Sequence, residues 1–146
     1  MAISVIAAIT DIARSYIANM TITGVGFKIT SFVVGSGGSD PGDSTVPLSP
    51  DPSLTVLPSM TFGPKALVLP TPTTSGTLLT PFCPQFQALL DYTEANGAVS
   101  NYGLMATPNA TPANPTPTPF LFAIGNTPLK QKTDSDQLQV NITLQT

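Results

Sequence analysis

The chain has 146 residues, enough for one domain with a substantial hydrophobic core. Only 9% of residues are charged and 41% are hydrophobic, with a formal net charge of −3 and no histidine. The cations Arg14, Lys28, Lys65, Lys130 and Lys132 are scattered and the pI is near 4.4, which excludes an electrostatic footprint for nucleic acid. A surface this poor in charge does little to keep copies apart, so it fits a subunit whose faces are covered by partners.

Residues 4–19 read as a helix in which Ile6, Ile9, Ala13, Tyr16, Ile17 and Met20 recur at three- and four-residue spacing. Its apolar stripe can pack on the chain's own sheet or dock onto a neighbour. The helix is expected to fade before Thr21-Ile22-Thr23 and Gly24. Asp11 and Arg14 interrupt the apolar run and no cationic segment precedes it, so a secretory signal is not expected. No stretch approaches the length of a membrane span.

Residues 27–34 form the first predicted strand, rich in β-branched and aromatic side chains. It runs into Gly35, Gly37 and Gly38, where positive φ would let the chain turn sharply. Residues 35–59 follow as an extended loop, with prolines at 41, 47, 50, 52 and 58. Within it Asp40 and Asp43 sit beside glycines. They lack the ligand spacing of a calcium loop and read as Asx-type turns.

The run 60–69 carries Pro64 and reads as an edge strand or an extended arm, and Pro70 to Gly76 as a turn-rich link. Cys83 is the only cysteine and reads as a buried hydrophobe. Residues 85–92 alternate, with Phe86, Ala88, Leu90 and Tyr92 inward and Gln85, Gln87 and Asp91 outward. Asn96-Gly97 signals a hairpin that joins this strand to the next, Ala98 to Met105. Residues 106–119 form a second proline-rich loop, inside an enlarged hairpin whose return strand starts at Phe120. A glycosylated stalk is the rival reading of this loop, with Asn109-Ala110-Thr111 a formal sequon. The closing strand, Leu138 to Leu144, has four aliphatic residues on one face and Gln139, Asn141 and Thr143 on the other.

The fold class is therefore mainly β: an antiparallel sheet or β-sandwich in a single domain, with one N-terminal helix and β segments at 27–34, 60–69, 85–105 and 120–144. No catalytic constellation is visible. Glu94 is the only glutamate, the glycines at 35, 37 and 38 lack the lysine of a phosphate loop, and no nucleophile elbow occurs. We expect no enzyme, cofactor or metal.

Three stretches taken in order look like the bacteriophage tail-collar fibre or baseplate-associated family. Such proteins begin with a helix, then a strand and a glycine-rich turn, places filled here by Ile9 to Ala13 and Phe32 to Gly38. An "EiGLf" strand is matched by Asn101-Tyr102-Gly103-Leu104-Met105, with Asn101 where the family has an acidic residue. An "lfAvgn" segment with a following proline and lysine resembles Leu121 to Lys130. The resemblance implies a virion protein that is made in the bacterial host cytoplasm and joins tail or baseplate neighbours, as a homo-oligomer. The resemblance leaves open both a stand-alone structural subunit and a role in tail-fibre attachment. It implies no nucleic acid or membrane partner and carries over no catalytic residue.

The candidate partner contacts are Ile6, Ile9, Ala13 and Ile17 on the apolar stripe and Gly35, Gly37 and Gly38 in the turn. The rival functions are a small carbohydrate-binding or adhesin module, with Tyr102 as a possible aromatic platform, and a capsid decoration or spike protein.

Overall fold

A computed structural model describes residues 2–68 and 85–145. Leu69, the link from Pro70 to Gly76 and Cys83 lie outside the described residues. The fold is mainly β with one short helix, as expected from the sequence, built on a single curled mixed sheet.

The N-terminal segment departs from the expected helix. Residues Ala2–Ile9 form strand β1, and helix α1 spans only Asp11–Thr23. Ile3, Val5, Ala7 and Ile9 also alternate, and the surrounding strands decide between the two periodicities. Strand β1 lies between β8 (Phe120–Lys132) and β9 (Leu138–Gln145), antiparallel to the first and parallel to the second. The strand period puts Val5 and Ala7 on one face of β1, where both are buried in the main core.

Thr10 marks the change of state. Its Oγ1 accepts from Ala13 N at 3.2 Å as the N-cap, and donates to the Leu121 carbonyl of β8 at 2.6 Å. At the other end the helix continues through Thr21-Ile22-Thr23. The hydroxyls of Thr21 and Thr23 bond back to the Ala18 and Asn19 carbonyls. Gly24 then ends it at φ 75°, a left-handed cap whose N–H reaches Met20 O.

The remaining strands are β2 (Phe27–Gly35), β3 (Ser39–Asp40), β4 (Asp43–Pro47), β5 (Met60–Ala66), β6 (Gln85–Leu90) and β7 (Gly97–Pro108). The main sheet runs β5-β2-β7-β8-β1-β9-β6, and β3 and β4 form a separate hairpin. All pairs in the main sheet are antiparallel except β1–β9. The sheet curls far enough for its two ends to meet. Val68 N, just past β5, donates to Gln87 O of β6 at 3.0 Å.

The expected hairpin at Asn96-Gly97 does not form. Strand β6 pairs with β9, and both sides of β7 are taken by β2 and β8. The turn 91–96 instead connects β6 to a strand that is not its neighbour. Tyr92 is exposed rather than inward, because β6 ends at Leu90. Phe86, Ala88 and Leu90 do face inward, as do Leu138, Val140, Ile142 and Leu144. Strand β7 also continues through Ala106, Thr107 and Pro108, so the second loop starts later than the sequence indicated.

Two hydrophobic cores result. The main one lines the concave side of the sheet, with Phe32, Tyr102, Leu104, Phe120 and Phe122 among its large members, and Ala13, Ile12, Tyr16 and Ile17 of α1 against it. A smaller core of Val33, Leu57, Leu121 and Ile124 lies on the opposite face of β2, β7 and β8. Leu54 and Leu57 come from the segment 48–59, which straps that face. The 35–59 region is therefore only partly a loop: it holds the β3–β4 hairpin and a strap whose Leu57 joins the smaller core, with Leu54 packed against it. Asp40 Oδ1 accepts from Gly42 N at 2.8 Å, the Asx turn expected of the sequence, and closes the hairpin tip.

Gly35, Gly37 and Gly38 serve close approach rather than a sharp turn, and none of them has positive φ. A Cβ at Gly35 would lie 2.8 Å from Ser59 O and 2.9 Å from Pro58 O. At Gly38 it would collide with the Ser100 carbonyl. Gly38→Ala should therefore cost about 2–4 kcal/mol, in the range of overpacking against fixed backbone. Gly42→Ala, where a Cβ meets only Asp40 Oδ1 at 3.4 Å, should stay within about 0.5 kcal/mol. Urea denaturation of both variants measures the contrast.

Candidate interaction surface

The seven proposed contact residues fall into two groups. Ala13 is fully buried, and Ile9 and Ile17 are part-buried against the main core, so this portion of the stripe serves the chain's own packing. Ile6 is 66% exposed on the outer face of β1, where the strand period separates it from its helical partners. Gly35 and Gly38 are buried and Gly37 half-buried, packed on Pro58, Ser100 and Asn101. Among the seven, Ile6 alone presents a large apolar surface to solvent.

The sequence reading missed a group of exposed apolar side chains beside the sheet. Val46 on the hairpin, Leu48 and Val56 on the strap and Met60 at the start of β5 are each 40–70% exposed. Backbone and side-chain bonds hold these segments in place. Leu48 N donates to Gly38 O at 2.8 Å, Gly38 N to Ser100 Oγ at 2.8 Å, and Ser36 N to Ser59 O at 3.1 Å. Asn126 Nδ2 reaches Leu48 O at 2.9 Å, and Asp11 N reaches Pro52 O at 2.8 Å. Proline density in 47–58 could have flagged the region, since proline forgoes a backbone donor that a strap would otherwise leave unpaired.

Asn101 is central to this anchorage. Its Nδ2 donates to the Pro58 carbonyl at 3.0 Å, a bond no carboxylate could make. Its Oδ1 has no hydrogen-bond donor among the described residues and lies over Gly35.

Tyr102 is 1% exposed and cannot serve as a sugar platform. Burial pushes its phenol up to about 12, with the Thr127 hydroxyl acting weakly the other way. Among the described residues no hydrogen bond reaches that phenol, and Thr127 Oγ1 bonds the Ser100 and Pro128 carbonyls.

The end of the sheet near the 91–96 turn holds two lysines. Lys132, 2% exposed, donates to Asp91 O at 2.7 Å and Asn96 Oδ1 at 2.9 Å, with Tyr92 O at 3.4 Å. Its ammonium gathers the turn around itself. Lys65 on β5 bonds Leu89 O at 3.0 Å and pairs with Glu94, so it ties the two ends of the sheet together. Among the described residues no three His, Cys, Asp or Glu side chains come together as a metal site.

Comparison with family models, with curated proteins and with solved structures found no match for this chain.

Lys132→Met keeps the stem but leaves these carbonyls without a donor, and should lower stability by about 2–4 kcal/mol in urea or thermal unfolding. Glu94 sits below its ordinary value of 4.5, chiefly through the hydrogen bond from Lys65. A lowered carboxylate pKa contributes stability above 4.5 that is lost as pH falls through the folded value. Glu94→Gln should therefore flatten the acid limb of a stability-versus-pH curve while changing its neutral plateau only modestly, a partly exposed pair being worth little.

Proposed function

We propose that the protein is a structural component of a bacteriophage tail or baseplate that joins neighbouring virion subunits by protein–protein contacts. The reading involves no reaction, cofactor or nucleic acid.

The observation that carries it is the placement of the motifs behind the family resemblance. The stretches Phe32 to Gly38, Asn101 to Met105 and Leu121 to Lys130 fall on β2, β7 and β8, three successive neighbours in the sheet. Their registers align, with Gly35 opposite Asn101 and Asn101 opposite Asn126. The first stretch lies more than sixty residues before the other two, and the three form one contiguous block. The strap and hairpin rest on that block, and with the start of β5 they carry Val46, Leu48, Val56 and Met60 outward.

A rigid, charge-poor segment with exposed aliphatic residues suits assembly. Its backbone is already ordered, so little conformational entropy remains to be lost when a neighbour covers it. Each aliphatic side chain fully covered contributes about 1.5–3 kcal/mol. Four together are enough to matter at an interface of ordinary size.

Two measurements test the reading. The purified protein should form a defined oligomer by light scattering, and Val56→Asp with Met60→Asp should dissociate it without unfolding the monomer. Mass spectrometry of particles from the source phage should find the chain in the virion. A monodisperse monomer that is also missing from particles would refute the assignment.

A further inference from the structure

A second surface lies away from the strap. The C-terminal half of α1 and the 108–118 loop enclose a cleft of about 210 Å³. Its walls include Tyr16, Asn19 and Thr23 from one side and Asn109, Asn114 and Pro117 from the other. No charged residue lines it.

The cleft is preorganised. Asn109 N donates to Gly26 O at 2.8 Å, and Thr111 and Asn114 exchange backbone bonds of 3.1 and 3.0 Å. Thr111 Oγ1 also accepts from Asn114 N at 3.1 Å, and the surrounding prolines restrict φ. Across the cleft, the Tyr16 ring is stacked on Phe120 with centroids 4.0 Å apart and planes within 3°. That stack fixes one wall against the main core. Gly26 lies beneath the Asn109 amide; a Cβ there would come within 3.3 Å of Nδ2.

Among the described residues the amides of Asn19, Asn109 and Asn114 make no side-chain hydrogen bond, although amides elsewhere in the fold do, as at Asn96, Asn101 and Asn126. Three free amides therefore converge on an uncharged cleft with an aromatic ring and a proline ring in its walls. Each amide offers donors and an acceptor side by side, the complement of vicinal hydroxyls. The rings offer apolar surface for C–H faces. An ion finds no counter-charge here, and a purely apolar ligand would strip the amides of water without replacing it.

We propose that this cleft binds an uncharged saccharide. The site is independent of the strap and does not rest on the assembly reading.

The test is a glycan array that includes neutral and acidic members, followed by calorimetric titration of the full-length protein with the best neutral oligosaccharide. Binding to neutral members is expected. The double variant Asn19→Ala with Asn109→Ala should weaken it by about tenfold or more, the loss of two hydrogen-bonding amides. Both side chains are exposed and make no internal bond, so circular dichroism of the variant should match the parent. Gln85→Ala on the outer face of β6 should leave affinity unchanged. No binding on the array, binding confined to acidic glycans, or affinity unaffected by the double variant would each overturn the proposal.

Discussion

The architecture depends on how closely the chain past β2 can lie against β7. Gly38 rests on the Ser100 carbonyl with no room for a Cβ, and Gly35 and Gly37 press on Pro58. This contact lets the β3–β4 hairpin leave the sheet and the strap return across it. The polar groups at the junction are paired rather than merely crowded: Gly38 donates to Ser100 Oγ and accepts from Leu48 N. With larger residues here the strap would stand off the sheet. Val33, Leu121 and Ile124 would then lose Leu57 as cover, and an apolar patch would open on the convex face.

Closure of the sheet is achieved by different means at its seam. The two end strands share the bond from Val68 N to Gln87 O, reinforced by Lys65 reaching from β5 to Leu89 O and Glu94. Next to it the buried Lys132 ammonium organises the 91–96 turn through carbonyls rather than through a carboxylate partner. Burying an ammonium is unfavourable unless donors and acceptors are well matched, so the turn's carbonyls and the lysine depend on one another. Asn96-Gly97 forms no hairpin because β6 and β7 pair with other strands, and the Asn96 side chain serves the turn instead. Asn96 Oδ1 is committed to Lys132, and its amide nitrogen to Tyr92 O.

Much of the fold was legible where a single period dominates. The closing strand, with Leu138, Val140, Ile142 and Leu144 on one face, is read correctly because alternation admits one answer. Residues 2–9 admit two, since Ile6 and Ile9 satisfy a helical spacing while Val5 and Ala7 satisfy a strand. The choice is made by β8 and β9, which are more than a hundred residues away in the chain. No local pattern encodes that. Thr10 was the available clue, a capping residue directly before Asp11, and it places the helix start where the structure has it. The interaction surface was less legible. Alternation and stripes point to buried faces, whereas Val46, Leu48 and Val56 sit in a proline-rich segment without periodicity. Their exposure follows from Leu54 and Leu57 having taken the inward positions.

The two proline-rich segments make opposite use of one property. Proline lets a chain run extended without a full complement of hydrogen-bond partners. In the strap, this frees leucines to pack inward and leaves other aliphatic side chains outward, a surface whose chemistry is apolar contact. In the 108–118 loop, the residues between prolines are Asn, Thr and Ala, so the same stiffness holds amides and hydroxyls around a cleft beside Tyr16. Stiffness is useful to either kind of recognition because it lowers the entropy lost on binding. What distinguishes the two surfaces is the side chains carried. A protein built this way can hold its neighbours with one face while the other remains open to a soluble, uncharged ligand, and neither contact requires the sheet to move.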